Sequence, residues 1–367
     1  MKNKVIPVRY GPETGYQITV SDSFEGLPDA LAVLDLSSRK VCVITDSHVE
    51  KLYADEVTRR LASVCSAVHL FSFPAGEAQK NLHVIQQMYR FFVDKKLDRK
   101  DVVISLGGGV VGDMAGFAAA TYMRGIRFVQ VPTTLLAQVD SSIGGKTGVD
   151  FGGYKNLVGA FHMPSAVYIN VSVLATLPDE QFSCGMGEVL KHGLIRDAAY
   201  YAWTIENMSE IMERDMAVLP TLVETSCLIK KRIVENDPKE QGERALLNFG
   251  HTVGHAIETL KGFSLPHGHC VALGCVAAAY ISWQRGHLSE EEFYEARDMN
   301  VGFSLPITYE GIRPEDIVET LRHDKKMDAG KIRFILLKKI GKAFIDTTVT
   351  EEEILEAVRQ IDGSRWG

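Results

Sequence analysis

The sequence predicts a chain in two parts, an α/β N-terminal domain of the nucleotide-binding type over 1–165 and a mainly α-helical C-terminal domain over 166–367. Three observations predict it. Short β-branched runs alternate with helical patterns as far as about residue 131, the signature of βαβ units and a parallel sheet. A glycine-rich turn follows one of those strands directly and opens a helix. Beyond about residue 178 the pattern turns to long helical periodicity with few strands, through roughly residue 320.

In chain order, KVCVITD (40–46) reads as a strand, HVEKLYADEVTRRLASV (48–64) as an amphipathic helix and AVHLFSF (67–73) as a second strand. NLHVIQQMYRFFVDK (81–95) reads as a helix, DVVISL (101–106) as a strand, GDMAGFAAATYM (112–123) as a small-residue helix and RFVQV (127–131) as a strand. A short apolar segment, IRFILL (332–337), and a helix, EEEILEAVRQI (351–361), close the chain.

The composition bounds the function. A length of 367 residues favours about two domains. Hydrophobic residues at 46% and charged residues at 24% are ordinary for a globular protein. A net charge of −7 gives no general attraction to nucleic acid or anionic lipid, so an anionic ligand needs a local basic cluster. The six cysteines (Cys42, Cys65, Cys184, Cys227, Cys270, Cys275) form no CxxC pair and read as reduced thiols. The first twenty residues lack the apolar segment and cleavage site of a secretory signal, and the longest apolar run, VALGCVAAAYISW (271–283), is short for a bilayer and suits a buried helix. A cytoplasmic enzyme is the expectation.

LGGGVVGDMAGF (106–117) places bare backbone and free helix-terminal N–H groups where a pyrophosphate could approach, although its spacing is not GxGxxG. Asp46, at a strand end, is a candidate partner for ribose or adenine. SSIGGKTG (141–148) resembles a Walker A loop but has Asp140 where the first glycine is required. A carboxylate there would repel phosphate, which excludes an NTPase and leaves Lys146 as a point charge for a phosphate.

HTVGHAIETLKGFSLPHGH (251–269) gathers His251, His255, His267 and His269. His251 and His255 are four residues apart on one helix face, and GMGEVLKHG (185–193) puts Glu188 and Lys191 three apart on another. One carboxylate with two imidazoles is a common zinc set that leaves positions open for substrate. Spacing alone does not choose between His255 and His267 as the second imidazole.

The segments GEAQK (76–80), GGGVVGDMAGFAA (107–119), VPTTLLAQVDSSIGGKTGVD (131–150), KNLVGAFHMP (155–164), GMGEVLKHG (185–193), ALLNFGHTVGHAIE (245–258), HGHCVALG (267–274) and HDKK (323–326) resemble, in order and over nearly the whole chain, the 3-dehydroquinate synthase family. The resemblance implies a homodimer with a Rossmann-like NAD-binding domain, a helical metal- and substrate-binding domain and an active site between them. It implies NAD with zinc or cobalt, and conversion of 3-deoxy-D-arabino-heptulosonate 7-phosphate to 3-dehydroquinate and phosphate. In that family the substrate C5 alcohol is transiently oxidised, phosphate is eliminated, hydride returns, and the opened ring closes by an aldol step.

Carried over by motif, the resemblance implies Glu188, His251 and His267 as metal ligands and His255 as a proton-transfer or hydroxyl-binding residue. Lys146, Asn156, Asn248 and Lys325 or Lys326 would hold phosphate, with Arg124 from the partner subunit. Lys230 and Arg244 would hold the substrate carboxylate, and Asp140, Lys155 and Lys191 its hydroxyls. Lys146, Asp140, Lys191 and His255 carry the catalytic assignment. The cofactor would meet Asp46, Gly76, Glu77, Lys80, the turn Gly108, Gly109, Val110, Gly112 and Asp113, then Thr133, Thr134, Lys146 and Lys155, and the run Val173, Leu174, Ala175 and Thr176. Three positions depart from the family: His269 replaces the glutamate of HGE, while His48 and Cys184 each stand where asparagine is common.

The glycine turn and HxxxH helix are also similar to metal-dependent alcohol dehydrogenases of the glycerol dehydrogenase type. QVDSSIGGKTGVD and KNLVG favour the synthase over that kin, and Lys230 with Arg244 favours a carboxylate-bearing substrate over those of sister sugar phosphate cyclases.

Overall fold

The structure, a computed structural model, describes residues 3–11, 14–323, 327–328 and 331–365. The chain forms two compact units, Met1–Leu177 with Leu219–Pro238, and Pro178–Val218 with Lys239–Gly367.

The first unit is built on strands β1 (Lys4–Arg9), β2 (Gly15–Ser21), β3 (Lys40–Asp46), β4 (Ala67–Phe73), β5 (Val102–Gly107), β6 (Arg127–Pro132) and β9 (Ala166–Asn170), with β7 (Lys146–Phe151) and β8 (Tyr154–Phe161) forming a separate hairpin. The seven-stranded sheet runs β1-β2-β9-β6-β5-β3-β4, parallel except for the β1–β2 pair. Its helices are α1 (Leu27–Ala30), α2 (Asp55–Ala62), α3 (Leu82–Asp94) and α4 (Gly109–Thr121).

Alternation along the strands explains the layering. Val41, Val43, Val102 and Ile104 face Leu27, Leu31, Val57 and Leu61, whereas Cys42, Ile44 and Val103 face Met88, Phe92, Met114 and Ala118. Both faces of the sheet are therefore covered by helices, as a parallel sheet demands. Chain order reverses between β3 and β5, so Asp46 and the glycine turn flank the switch-point crevice where such sheets bind ligands.

The second unit holds α5 (Asp179–Arg196), α6 (Ala198–Glu206) and α7 (Met208–Met212); after α8 (Leu219–Asn236), which joins the first unit, come α9 (His251–Leu260), α10 (His267–Gln284), α11 (Glu290–Gly302), α12 (Pro314–His323) and α13 (Glu351–Gln360). Two short strands, β10 (Met327–Asp328) and β11 (Lys331–Ile332), pair with each other, as do β12 (Phe334–Lys339) and β13 (Lys342–Asp346). The apolar run 271–283 is the middle of α10, buried nearly all round. Among the described residues no helix is long and apolar enough to cross a membrane. The six cysteines are free thiols.

The architecture is the expected α/β unit followed by a helical one, but the division near residue 165 is drawn elsewhere. The five residues of β9 are all buried between β2 and β6, and α8 is tied to β1 by the Lys4–Glu224 ion pair and by the Arg9 amide donating to Glu235 at 2.7 Å. The stretch read as a helix from 48 begins with a wide turn, Glu50–Ala54, before α2. The hairpin β7–β8 turns on Gly152 and Gly153, whose φ values of 60° and 83° favour glycine.

Candidate metal centre and nucleotide-side residues

In the second unit three helices converge. Glu188 and Lys191 lie on α5, His251 and His255 on α9, and His267 is the first residue of α10. Gly250 launches α9 with φ 78°, and a Cβ there would come within 2.5 Å of Cys275 Sγ and 2.7 Å of the Val271 carbonyl. Only glycine meets both constraints, and it brings α9 against α10.

The Glu188 side chain is 1% exposed and its two oxygens have different partners. Oε2 pairs with the Lys191 ammonium, itself 1% exposed. Oε1 faces Nε2 of His251 at 3.6 Å and Nε2 of His267 at 3.8 Å. The other nitrogens of both rings are engaged. His251 Nδ1 donates to the Phe249 carbonyl at 3.2 Å, and His267 Nδ1 lies 3.3 Å from Glu258 Oε2. A carbonyl only accepts, so the proton of a neutral His251 is on Nδ1 and its Nε2 lone pair faces Glu188. Burial, then the charges of Lys191, His255 and His267, hold the His251 pKa well below its ordinary value, which keeps the ring in the metal-binding form.

Two ring nitrogens thus face one carboxylate oxygen, an arrangement that a cation satisfies. Ligand atoms about 2.1 Å from a tetrahedral zinc ion stand about 3.4 Å apart, close to the two separations observed here. His255 shares the cluster: its ring centroid is 5.1 Å from that of His251 and 5.7 Å from that of His267, and the three imidazoles offer nitrogens within 4.8 Å of one another. Both imidazole choices left open by spacing are therefore close together. Sequence reasoning missed Glu258, although it lies three residues after His255 and seven after His251 on the same helical stretch. His269 is turned to α5, where its Nε2 is 2.8 Å from Ser183 Oγ. Arg244 is 1% exposed in the turn before α9, and Asn248 donates to Glu240 at 3.0 Å.

In the first unit the glycine turn behaves as expected for a strand-to-helix junction, with Gly109 as the first residue of α4 and Val110 beside it. Part of the glycine requirement is internal, since a Cβ on Gly112 would meet Gln130 Oε1 at 2.7 Å. Gly108 lies close to Thr134, whose hydroxyl accepts from the Ala137 amide at 3.2 Å. Thr133 is buried and its hydroxyl has no partner. The Asp46 carboxylate caps the turn after β3, accepting from the amides of His48 and Val49 at 2.8 and 2.9 Å.

Lys80 joins several of the expected residues. Its ammonium is 2.7 Å from Asp113 and 2.6 Å from Asn156 Oδ1, and it is 5% exposed. Burial works against that charge, but Asp113, Glu77 and Asp150 outweigh it and raise the Lys80 pKa. Lys155 pairs with Glu77, next to Gly76, at 3.3 Å. Lys230 pairs with Asp140 at 2.7 Å. Val173, Leu174, Ala175 and Thr176 form a turn in which the Thr176 hydroxyl meets Tyr53. Lys146 is exposed at the start of β7. Arg124 is exposed, in a left-handed conformation, on a cavity of about 390 Å³ that it shares with Arg99, Arg127 and His162. Lys325 and Lys326 lie outside the described residues.

An α/β nucleotide-type unit followed by a helical unit is an architecture shared with solved sugar phosphate cyclases. Two family models match in succession, 3-dehydroquinate synthase N-terminal over residues 70–184 and 3-dehydroquinate synthase C-terminal over residues 185–327. The chain belongs to the 3-dehydroquinate synthase family. It is 43% identical over 346 residues to the 3-dehydroquinate synthase of Ruminiclostridium cellulolyticum, covering 94% of this chain and 96% of that one. Among solved structures it is similar to ValA, a 2-epi-5-epi-valiolone synthase from Streptomyces hygroscopicus with NAD+ and Zn2+ bound, at a TM-score of 0.88 and 27% identity over 96% of this chain and 98% of that one. It shares its fold with a 2-deoxy-scyllo-inosose synthase complexed with carbaglucose-6-phosphate, NAD+ and Co2+, at a TM-score of 0.87 and 24% identity over 97% and 100% of the two chains.

Proposed function

We propose that this chain converts 3-deoxy-D-arabino-heptulosonate 7-phosphate to 3-dehydroquinate and phosphate, using NAD with zinc or cobalt. The observation that carries the metal assignment is the convergence of Glu188 Oε1 with the Nε2 atoms of His251 and His267, at 3.6 and 3.8 Å, while the opposite ring nitrogens are held by Phe249 and Glu258. These three residues would hold the ion. When bound, NAD supplies a hydride acceptor and the divalent ion supplies Lewis acidity toward neighbouring oxygens.

The chain's own groups have separable tasks. Lys191 pairs with the buried Glu188 and offsets its charge. His255, at the edge of the imidazole cluster, moves a proton or binds a substrate hydroxyl. In the second unit Arg244 takes the substrate carboxylate and Asn248 the phosphate; in the first, Lys230 takes the carboxylate, Lys146 and Asn156 the phosphate, and Asp140 and Lys155 hydroxyls. Lys325 or Lys326 adds to the phosphate site. The glycine turn, Asp46, Gly76, Glu77, Lys80, Asp113, Thr133, Thr134 and the 173–176 turn hold the dinucleotide, and the partnerless buried Thr133 hydroxyl supports that reading.

We also propose a cytoplasmic homodimer, with Arg124 acting on the partner's substrate. The hairpin β7–β8 exposes Phe151, Tyr154, Leu157 and Phe161, an apolar face of the kind that marks an interface. Sedimentation of the wild-type protein and of Leu157→Asp tests it: a dimer that the substitution weakens supports the proposal, and a wild-type monomer refutes it.

The activity is tested by incubating the purified protein with the heptulosonate phosphate, NAD and zinc and following phosphate, carbocycle and NADH together. Phosphate and carbocycle without lasting NADH are expected. Accumulating NADH would mark a dehydrogenase, and no turnover with any metal would mark an inactive relative.

A further inference from the structure

We infer that His269 is a positioning residue: through Ser183 it locks the helix carrying Glu188 in register with the helix that begins at His267, and so sets the affinity and geometry of the metal centre. The inference rests on the metal assignment above.

The two helices touch at backbone level. A Cβ on Gly268 would fall 1.9 Å from the Cys184 carbonyl oxygen, and one on Gly187 would fall 2.5 Å from the Gly268 carbonyl oxygen. The Gly268 amide also donates to Cys184 Sγ at 3.2 Å. These contacts fix how near α5 and α10 come. Because Gly187 and Gly268 must lie opposite the facing carbonyls, these contacts also favour one register, which a side-chain bond at the start of α10 can reinforce.

The bond between His269 and Ser183 supplies that reinforcement. Its heavy atoms are 2.8 Å apart, and Ser183 is 2% exposed. The Ser183 hydroxyl lies 3.0 Å from the Glu180 carbonyl in its own helix. With its proton directed at that carbonyl, the Ser183 oxygen can accept from Nε2–H of the imidazole. His269 is in the first turn of α10, two residues after His267, and Ser183 is five residues before Glu188 on α5. A slip of one residue along a helix displaces a side chain by about 1.5 Å and turns it by about 100°, whereas metal–ligand distances tolerate about 0.2 Å.

The test uses the full-length protein loaded with cobalt(II), whose d–d absorption reports ligand geometry. Variants are His269→Leu, His269→Gln, Ser183→Ala and, as a control on the ligand set, Glu188→Ala. The proposal expects Leu at 269 and Ala at 183 to weaken cobalt binding about tenfold, at the low end of what lost supporting contacts cost a metal site, and to shift the d–d bands. Gln at 269, which can still donate to Ser183, should retain both. If His269→Leu does not fold, Ser183→Ala carries the test alone. Unchanged cobalt affinity and spectrum in a folded variant would overturn the proposal, as would equal losses with Leu and Gln. Tight cobalt binding by Glu188→Ala would instead overturn the ligand assignment on which the proposal rests.

Discussion

Glu258 Oε2 stands 3.3 Å from Nδ1 of His267, the ring whose Nε2 faces Glu188 at 3.8 Å. A carboxylate behind a ligating imidazole fixes the ring's tautomer and raises its basicity, and losing such a partner costs about 10- to 100-fold in metal affinity. Glu258→Ala is therefore expected to weaken zinc binding by about tenfold or more, with Glu258→Gln intermediate. Competition against a chromophoric chelator measures it, and an unchanged affinity would remove Glu258 from the site.

Lys191 and Glu188 form an ion pair in which each side chain is 1% exposed. Breaking such a pair leaves an uncompensated buried charge, at a cost of about 3 kcal/mol or more. Lys191→Met should lower the urea midpoint of the metal-free protein accordingly. A bound divalent cation replaces the missing positive charge, so added zinc should stabilise the variant more than it stabilises the wild type. Equal zinc stabilisation in both would separate Glu188 from the metal.

Gly250 combines a φ of 78° with contacts that leave no room for a Cβ. Gly250→Ala should destabilise the fold by more than about 1 kcal/mol, since a strained backbone and a steric clash add. Zinc affinity should fall as well, because the substitution pushes the start of α9, and with it His251, away from α10. Thermal unfolding and zinc titration check the two effects separately.

Lys80 ties together Asp113 and Asn156 in the first unit. Lys80→Met leaves the Asp113 carboxylate, 18% exposed, without its cation and should cost about 3 kcal/mol in chemical denaturation. Asp113→Asn added to it should recover much of that loss. If Lys80 also serves the dinucleotide, NAD affinity measured by fluorescence titration falls in the single and the double variant alike.

Much of this was legible in the sequence, and what was not has identifiable causes. The strands at 40–46, 67–73 and 101–106 carry short, largely apolar runs, and they emerge as β3, β4 and β5 within a residue of their expected limits. The hairpin β7–β8 was hidden because its residues were read as phosphate-binding motif rather than as two alternating strands around Gly152 and Gly153. The strand β9 is short and wholly buried, so it shows no alternation to mark it. At the metal centre, spacing brought His251 and His255 onto one face but could not weigh His255 against His267. That decision needs the directions of the ring nitrogens, which the Phe249 carbonyl and Glu258 set in three dimensions. The part played by His269 depends on a contact with Ser183, 86 positions away in sequence, and no local pattern announces it.

The most direct test of the ligand assignment is the anomalous difference density of a cobalt-loaded crystal. The account predicts one peak about 2.0–2.2 Å from Glu188 Oε1 and from Nε2 of both His251 and His267, with His255 outside the ligand sphere. A peak held by His251, His255 and His267 while Glu188 stays on Lys191, or no peak at this cluster, would contradict it.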